Sequence, residues 1–195
     1  MPVVPLEELK SKTYIMKKFV YPIAAIALIS ASAFTFIVAQ SWKAAEGYSV
    51  KFSGEEGKIQ GAFTGLKAVI NFDEKDLATS NVEASVDVAS FNTGNGMMNT
   101  HAKSEQWFDS EKNPTISFKS SSIAKTATGY EAKGKLSMHG VSKDFTMPFT
   151  FEKTATGGLF KSAFVINRLD YEINVAQPAR GGSMFPVELS IPVTK

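Results

Sequence analysis

The chain contains no cysteine. Disulfides, thiol nucleophiles, thiolate metal sites and iron–sulfur clusters are therefore excluded. Histidine is almost as scarce, with only His101 and His139 present. A serine triad or a zinc centre would have to draw on those two, and no ligand spacing surrounds either. The sequence also lacks a P-loop, a G-x-G-x-x-G, a G-x-S-x-G and an H-E-x-x-H. No catalytic or metal-ligating residue is assigned, and no cofactor is called for. Excess charge is missing too. The formal net charge is +2, and residues 1–39 hold four lysines against two glutamates. The remainder is near neutral and carries no basic stripe for nucleic acid.

What the chain does have begins at its N-terminus. Lys17-Lys18 precede the uncharged run FVYPIAAIALISASAFTFIVA, Phe19 to Ala39. A basic start followed by an apolar stretch predicts an export helix. The pattern favours a cleaved signal peptide over residues 16–40. Left uncleaved, residues 19–39 would be long enough to anchor the protein to a membrane. Met16 stands directly before the two lysines and can serve as a start, which makes residues 1–15 an upstream extension. The expected location is periplasmic or secreted, with residues 41–195 forming one domain.

In that domain the apolar residues recur with a period of two. Tyr48, Val50 and Phe52 alternate with polar residues. So do those of Val82–Val88 and Tyr130–Met138, and Leu66–Phe72, Phe145–Phe151, Leu169–Val175 and Val187–Val193 carry apolar residues at every second position. One wet and one dry face per run is the signature of antiparallel strands. Turns are expected at Gly54–Gly57, Thr128-Gly129, His139-Gly140 and Gly157-Gly158. This all-β pattern fits a sandwich or a closed barrel, and a barrel leaves no open edge. Only Gly94–Pro114 breaks the period. Its centre, Asn99–Phe108, predicts a short helical insertion, which Asn113-Pro114 ends. His139 falls in a hairpin turn, where a polar residue before glycine needs no catalytic explanation.

Aromatic side chains are the remaining resource. Twelve of the 15 phenylalanines lie beyond the leader, most of them on dry strand faces. They either pack a solid core or line a tunnel for an apolar ligand.

Four stretches then carry a family resemblance. They are Val50-Lys-Phe52 with Gly61-Ala-Phe63 and Ile70-Asn-Phe-Asp73; Asn92-Thr93 with His101-Ala-Lys-Ser104, Trp107-Phe-Asp109 and Asn113-Pro-Thr-Ile-Ser-Phe118; Gly134-Lys-Leu136 with His139-Gly-Val-Ser-Lys143; and Ile166-Asn-Arg168 with Asp170-Tyr171. In order and spacing the domain resembles the YceI-like family of exported lipid- or polyisoprenoid-binding proteins. The resemblance implies an extended eight-stranded antiparallel β-barrel of lipocalin type, with an isoprenoid lipid or quinone in an apolar tunnel. It also implies carriage or storage rather than catalysis.

On this reading Phe52, Phe63, Phe72, Phe118, Tyr130, Met147 and Phe149 would meet the chain. His101, Trp107, Phe108, Arg168 and Tyr171 would stand near its head group. The rival readings are an enzyme acting on a lipid or isoprenoid substrate, and a solid barrel that binds nothing. A cavity on the scale of known ligand sites, about 300–1,000 Å³, separates a binder from a solid barrel.

Overall fold

The computed structural model describes residues 40–54, 57–178 and 182–195. The upstream extension and the expected export helix, up to residue 39, lie outside the described residues.

Ten strand segments follow in order. They are β1 (Ser41–Ala44), β2 (Ser49–Gly54), β3 (Ile59–Phe63), β4 (Leu66–Asn71), β5 (Asn81–Asp87), β6 (Thr115–Lys125), β7 (Tyr130–Met138), β8 (Val141–Lys153), β9 (Gly157–Asn167) and β10 (Met184–Thr194). One helix, α1 (Gly96–Lys103), lies between β5 and β6. The segments form eight antiparallel staves, because two staves are broken in the middle. β1 and β2 share one stave and β3 and β4 the next, with β1 pairing with β4 and β2 with β3. The Tyr48 hydroxyl ties the two breaks together. It donates to the Thr64 carbonyl and accepts from the Leu66 N–H at 3.3 Å. From β4 each segment pairs with the next through to β10. β10 then returns to β2 and β1, through Leu189–Val50 and Lys43–Thr194 among other pairs, and closes the barrel. Every stave thus has a paired neighbour on each side over at least part of its length, which removes the aggregation hazard of an open sheet.

Alternation sets the inside and the outside. Along β7, Tyr130, Ala132, Leu136 and Met138 are buried, whereas Lys133 and Lys135 face solvent. The β7–β8 hairpin turns on His139 and Gly140, both with positive φ, 51° and 76°. A two-residue turn with both residues left-handed matches the natural twist of a hairpin. His139 therefore makes the turn, as expected.

Three expectations are corrected. The helix runs over Gly96–Lys103 rather than Asn99–Phe108. Asn95 caps it by accepting from the Met98 N–H, so it starts earlier than the Gly-free centre suggests. The Leu169–Val175 run is not a strand. Arg168–Tyr171 is a 3-10 turn, and Glu172 and Asn174 adopt positive φ, 58° and 48°. Tyr171 and Ile173 are buried as the alternation predicts, but Asn174 is buried too and Val175 is exposed, because the backbone folds back. Finally, Gly157-Gly158 opens β9 instead of forming a turn. These glycines serve close approach, since a Cβ on Gly157 would lie 1.9 Å from the Val193 carbonyl oxygen. Gly157→Ala is expected to lower stability by about 2–3 kcal/mol through backbone displacement, read as a lower urea midpoint at unchanged m.

One end of the barrel is sealed by aromatic rings. Phe72 sits at the centre, 5.0–5.5 Å from the ring centroids of Tyr130, Phe149, Phe151 and Phe160. Trp42 closes the layer against Phe151 at 5.1 Å and donates its indole N–H to the Phe72 carbonyl at 2.9 Å. Edge-to-face packing of this kind adds to the hydrophobic gain of burial. At the rim of this plug, Glu74 lies 2.9 Å from the Lys153 ammonium and accepts from the Tyr130 hydroxyl at 3.1 Å. Lys153 holds the Glu74 carboxyl below its ordinary pKa, and the Tyr130 bond adds to this while burial opposes it. A carboxylate whose pKa falls on folding stabilises the fold above its unfolded pKa, and that gain disappears as pH falls through the folded value. The stability gap between wild type and Glu74→Gln should therefore be full at about pH 7 and shrink progressively as pH falls below the ordinary glutamate pKa, about 4.3. Urea unfolding at a series of pH values reads it.

Candidate functional site

The opposite end of the barrel is roofed rather than plugged. Here α1 and the segments 104–109 and 168–178 lie over the strand ends. The helix is pinned by polar side chains. Asn99 Oδ1 accepts from both the Thr93 N–H and hydroxyl, each at 2.8 Å, and its amide donates to Asn92 Oδ1 at 3.1 Å. This brings Met98, His101 and Ala102 to the cavity lining, at the i, i+3, i+4 spacing of one helix face, with Ala102 buried and His101 still exposed. Ala102 is buried against Val50, Phe63, Val86 and Phe91. A second aromatic group supports this corner, with Phe52 stacked on Phe91 at 4.8 Å and Phe63 edge-on to Phe91 at 5.6 Å.

Arg168 organises the other half of the roof. It is 3% exposed, and its guanidinium donates to the carbonyls of Gly182, Ile173, Asn174, Gln177 and Pro178. Burial draws its pKa down from the usual arginine value. The same group lies over the Trp107 ring at 5.3 Å. One arginine therefore gathers a loop of irregular backbone, and the carbonyls of Ile173 and Asn174 take its N–H groups in buried surroundings. Two further ties fix the roof to the wall. The Asn174 N–H donates to the Gln106 carbonyl at 2.8 Å. The His139 ring reaches the Tyr171 carbonyl at 3.1 Å and the Glu105 carbonyl at 3.3 Å.

Between roof and plug lies a cavity of about 390 Å³. Its walls are almost wholly apolar, including Leu66, Ile70, Leu136, Met138, Phe164 and Ile191. Small side chains make the room. Ala68 and Ala84 face each other across β4 and β5, and Ala84 also faces Phe118 on β6. The few polar side chains on the lining are Ser85, Ser117, His101 and Arg168, with the indole of Trp107. Trp107 Nε1 is buried and makes no hydrogen bond among the described residues. His101 lies edge-on to the Trp107 ring at 5.9 Å.

The expected ligand-facing residues divide between cavity and plug. Phe52, Phe63, Phe118, Met147, His101, Trp107, Phe108 and Arg168 all line the cavity. Phe72 and Tyr130 belong to the sealed end instead, and Phe149 lines a small inner pocket beside it and an outer groove, not the main cavity. Tyr171 is buried in the roof, where burial first and then the charge of Asp170 raise its pKa, and it does not line the cavity. Sequence reasoning passed over the aliphatic wall, above all Ile70, Leu136, Leu189 and Ile191. Their signal was present as the inward half of each alternation.

Comparison with known proteins places this barrel. A family model described as the YceI-like domain matches residues 42–193, and the chain belongs to that family. A relative from Serratia proteamaculans, described as a UPF0312 protein, is 30% identical over 89 residues, 46% of each chain. A UPF0312 protein from Vibrio parahaemolyticus is 31% identical over 94 residues, 48% of this chain and 50% of its own. The chain spans about half the length of the curated relatives it matches. Among solved structures, BcnA of Burkholderia cenocepacia superposes with a TM-score of 0.70 at 24% identity, covering 76% of this chain and 96% of BcnA. A polyisoprenoid binding domain from Saccharophagus degradans, implicated in plant cell wall breakdown, superposes at 0.57 with 15% identity, covering 80% and 98%. These likenesses fix the fold.

Proposed function

We propose that the protein is an exported carrier or storage protein for a long-chain apolar lipid of polyisoprenoid or quinone type. The observation that carries this reading is the apolar cavity of about 390 Å³. A barrel selected only for stability would fill such a space, because interiors pack to crystal-like density and voids cost stability. This cavity falls within the range of small-molecule sites. Each ligand CH₂ buried there contributes about 0.8 kcal/mol before ordering costs. Met98, Met138 and Met147 on the wall suit a flexible chain, since methionine adapts its shape. The buried Trp107 N–H favours a ligand with an acceptor oxygen near the roof, such as a hydroxyl or carbonyl. Family membership and the polyisoprenoid binding domain with the same fold support a binding role over a catalytic one.

Native mass spectrometry of the purified protein, followed by solvent extraction, tests the reading. The expected result is a stoichiometric co-purifying lipid. A barrel that carries no lipid and takes up no isoprenoid probe such as all-trans-retinol would overturn it. The intact mass of the exported protein reports separately whether the leader is removed.

A further inference from the structure

The barrel wall is not uniformly sewn. β8 and β9 are 13 and 11 residues long, yet their ladder runs only from Lys153–Gly158 to Thr150–Lys161 among the described residues. Below that point the strands lie side by side without register pairs. Pro148 supplies the cause. Its carbonyl accepts from the Ser162 hydroxyl on β9, so its backbone edge points at β9. In an antiparallel strand a residue's N–H and C=O share one edge, and proline has no N–H to give. The ladder stops where its next donor is missing. Side chains close the gap instead, with the Phe145 ring edge-on to Phe164 at 5.1 Å.

Three spaces meet at this gap. A pocket of about 50 Å³ shares Met147, Leu189 and Ile191 with the main cavity. It also shares Phe149, Ser162 and Leu189 with an outer groove of about 680 Å³. The same side chains thus border the interior on one side and the outer groove on the other.

The structure assigns this gap as a second ligand-access site, a lateral window between β8 and β9 through which an apolar chain enters and leaves the barrel. The assignment rests on the lipid-binding reading above. The roof is held by α1, by Arg168 and by the His139 ties, and opening it breaks many hydrogen bonds at once. Opening the window requires rotation of Phe145, Phe164 and Met147 and loss of one serine bond. The low-cost path therefore runs through the wall.

The absence of cysteine makes the test clean. Continuing the Thr150–Lys161 register places outward-facing Thr146 opposite outward-facing Val165. The pair Thr146→Cys and Val165→Cys, oxidised to a disulfide, locks the window without touching the main cavity lining. Retinol-loaded protein is mixed with phosphatidylcholine vesicles, and transfer is followed by fluorescence. The expected result is uptake and release both slowed on the order of tenfold, Kd unchanged, and wild-type rates restored by dithiothreitol, because a route alters rates and not the equilibrium. Pro148→Val, which returns the missing donor, should slow both rates in the same way without a cross-link. Unaltered rates in both variants, with retinol still bound, overturn the window alone. A wild-type protein that binds no retinol overturns the lipid-binding reading and the window with it.

Discussion

Ala84→Trp is expected to empty the barrel of its ligand and leave the barrel standing. Ala84 sits on the inward face of β5, opposite Ala68 and Phe118, and lines the cavity. An indole there points into open space, so it meets no wall that must move. It occupies room that about four chain carbons would otherwise fill, worth roughly 3 kcal/mol at 0.8 per CH₂, or more than about 100-fold in Kd. Retinol titration reads the loss, and urea unfolding reads the fold. A variant that binds as wild type would place the ligand elsewhere. Filling the cavity should even raise stability slightly, since the substitution removes a void instead of making one.

Arg168→Met is expected to act in the opposite way, on the fold first. The five carbonyls now served by one guanidinium lose their donor together. Leaving buried acceptors unsatisfied costs about 1–3 kcal/mol per group, and relaxation of the loop toward water recovers part of it. A net loss of about 3–5 kcal/mol follows, roughly 10 °C in Tm for a domain of this size. Arg168→Lys should recover only part, because an ammonium has three donors and no planar fork. The cation–π contact with Trp107 disappears in the Met variant, so Trp107 fluorescence changes as well. Full stability in Arg168→Met would show that the roof is held by its other ties.

Most of the wall was legible in the chain. Strands with one wet and one dry face, such as β7 and β8, announce themselves through alternation. β9 does not, because Ala163-Phe-Val-Ile166 is apolar on both faces and the period is lost. The Leu169–Val175 segment shows the converse failure. Tyr171 and Ile173 are buried as the pattern predicts, but left-handed residues at 172 and 174 make the segment a coil of turns that buries Asn174 and exposes Val175. A pattern of burial does not specify the backbone that produces it. The site was half legible for a related reason. An inward-facing phenylalanine is recognisable from its period, but its height along the barrel is not. Phe52 and Phe118 therefore line the cavity, while Phe72 and Tyr130, of the same pattern, plug its end. Arg168 was expected beside a ligand head group, and it does line the cavity. Its partners are backbone carbonyls, which no residue pattern records.

The plug of Trp42, Phe72, Tyr130, Phe151 and Phe160 gives the chamber a floor. A chamber with a floor measures what it holds. Affinity across a homologous series of isoprenoid alcohols should climb by a steady increment per added unit until the tail reaches Phe149 and Phe160 on the upper side of the plug, and then go flat. The barrel is in this sense a ruler, and the carbon number at which the plot breaks is its length.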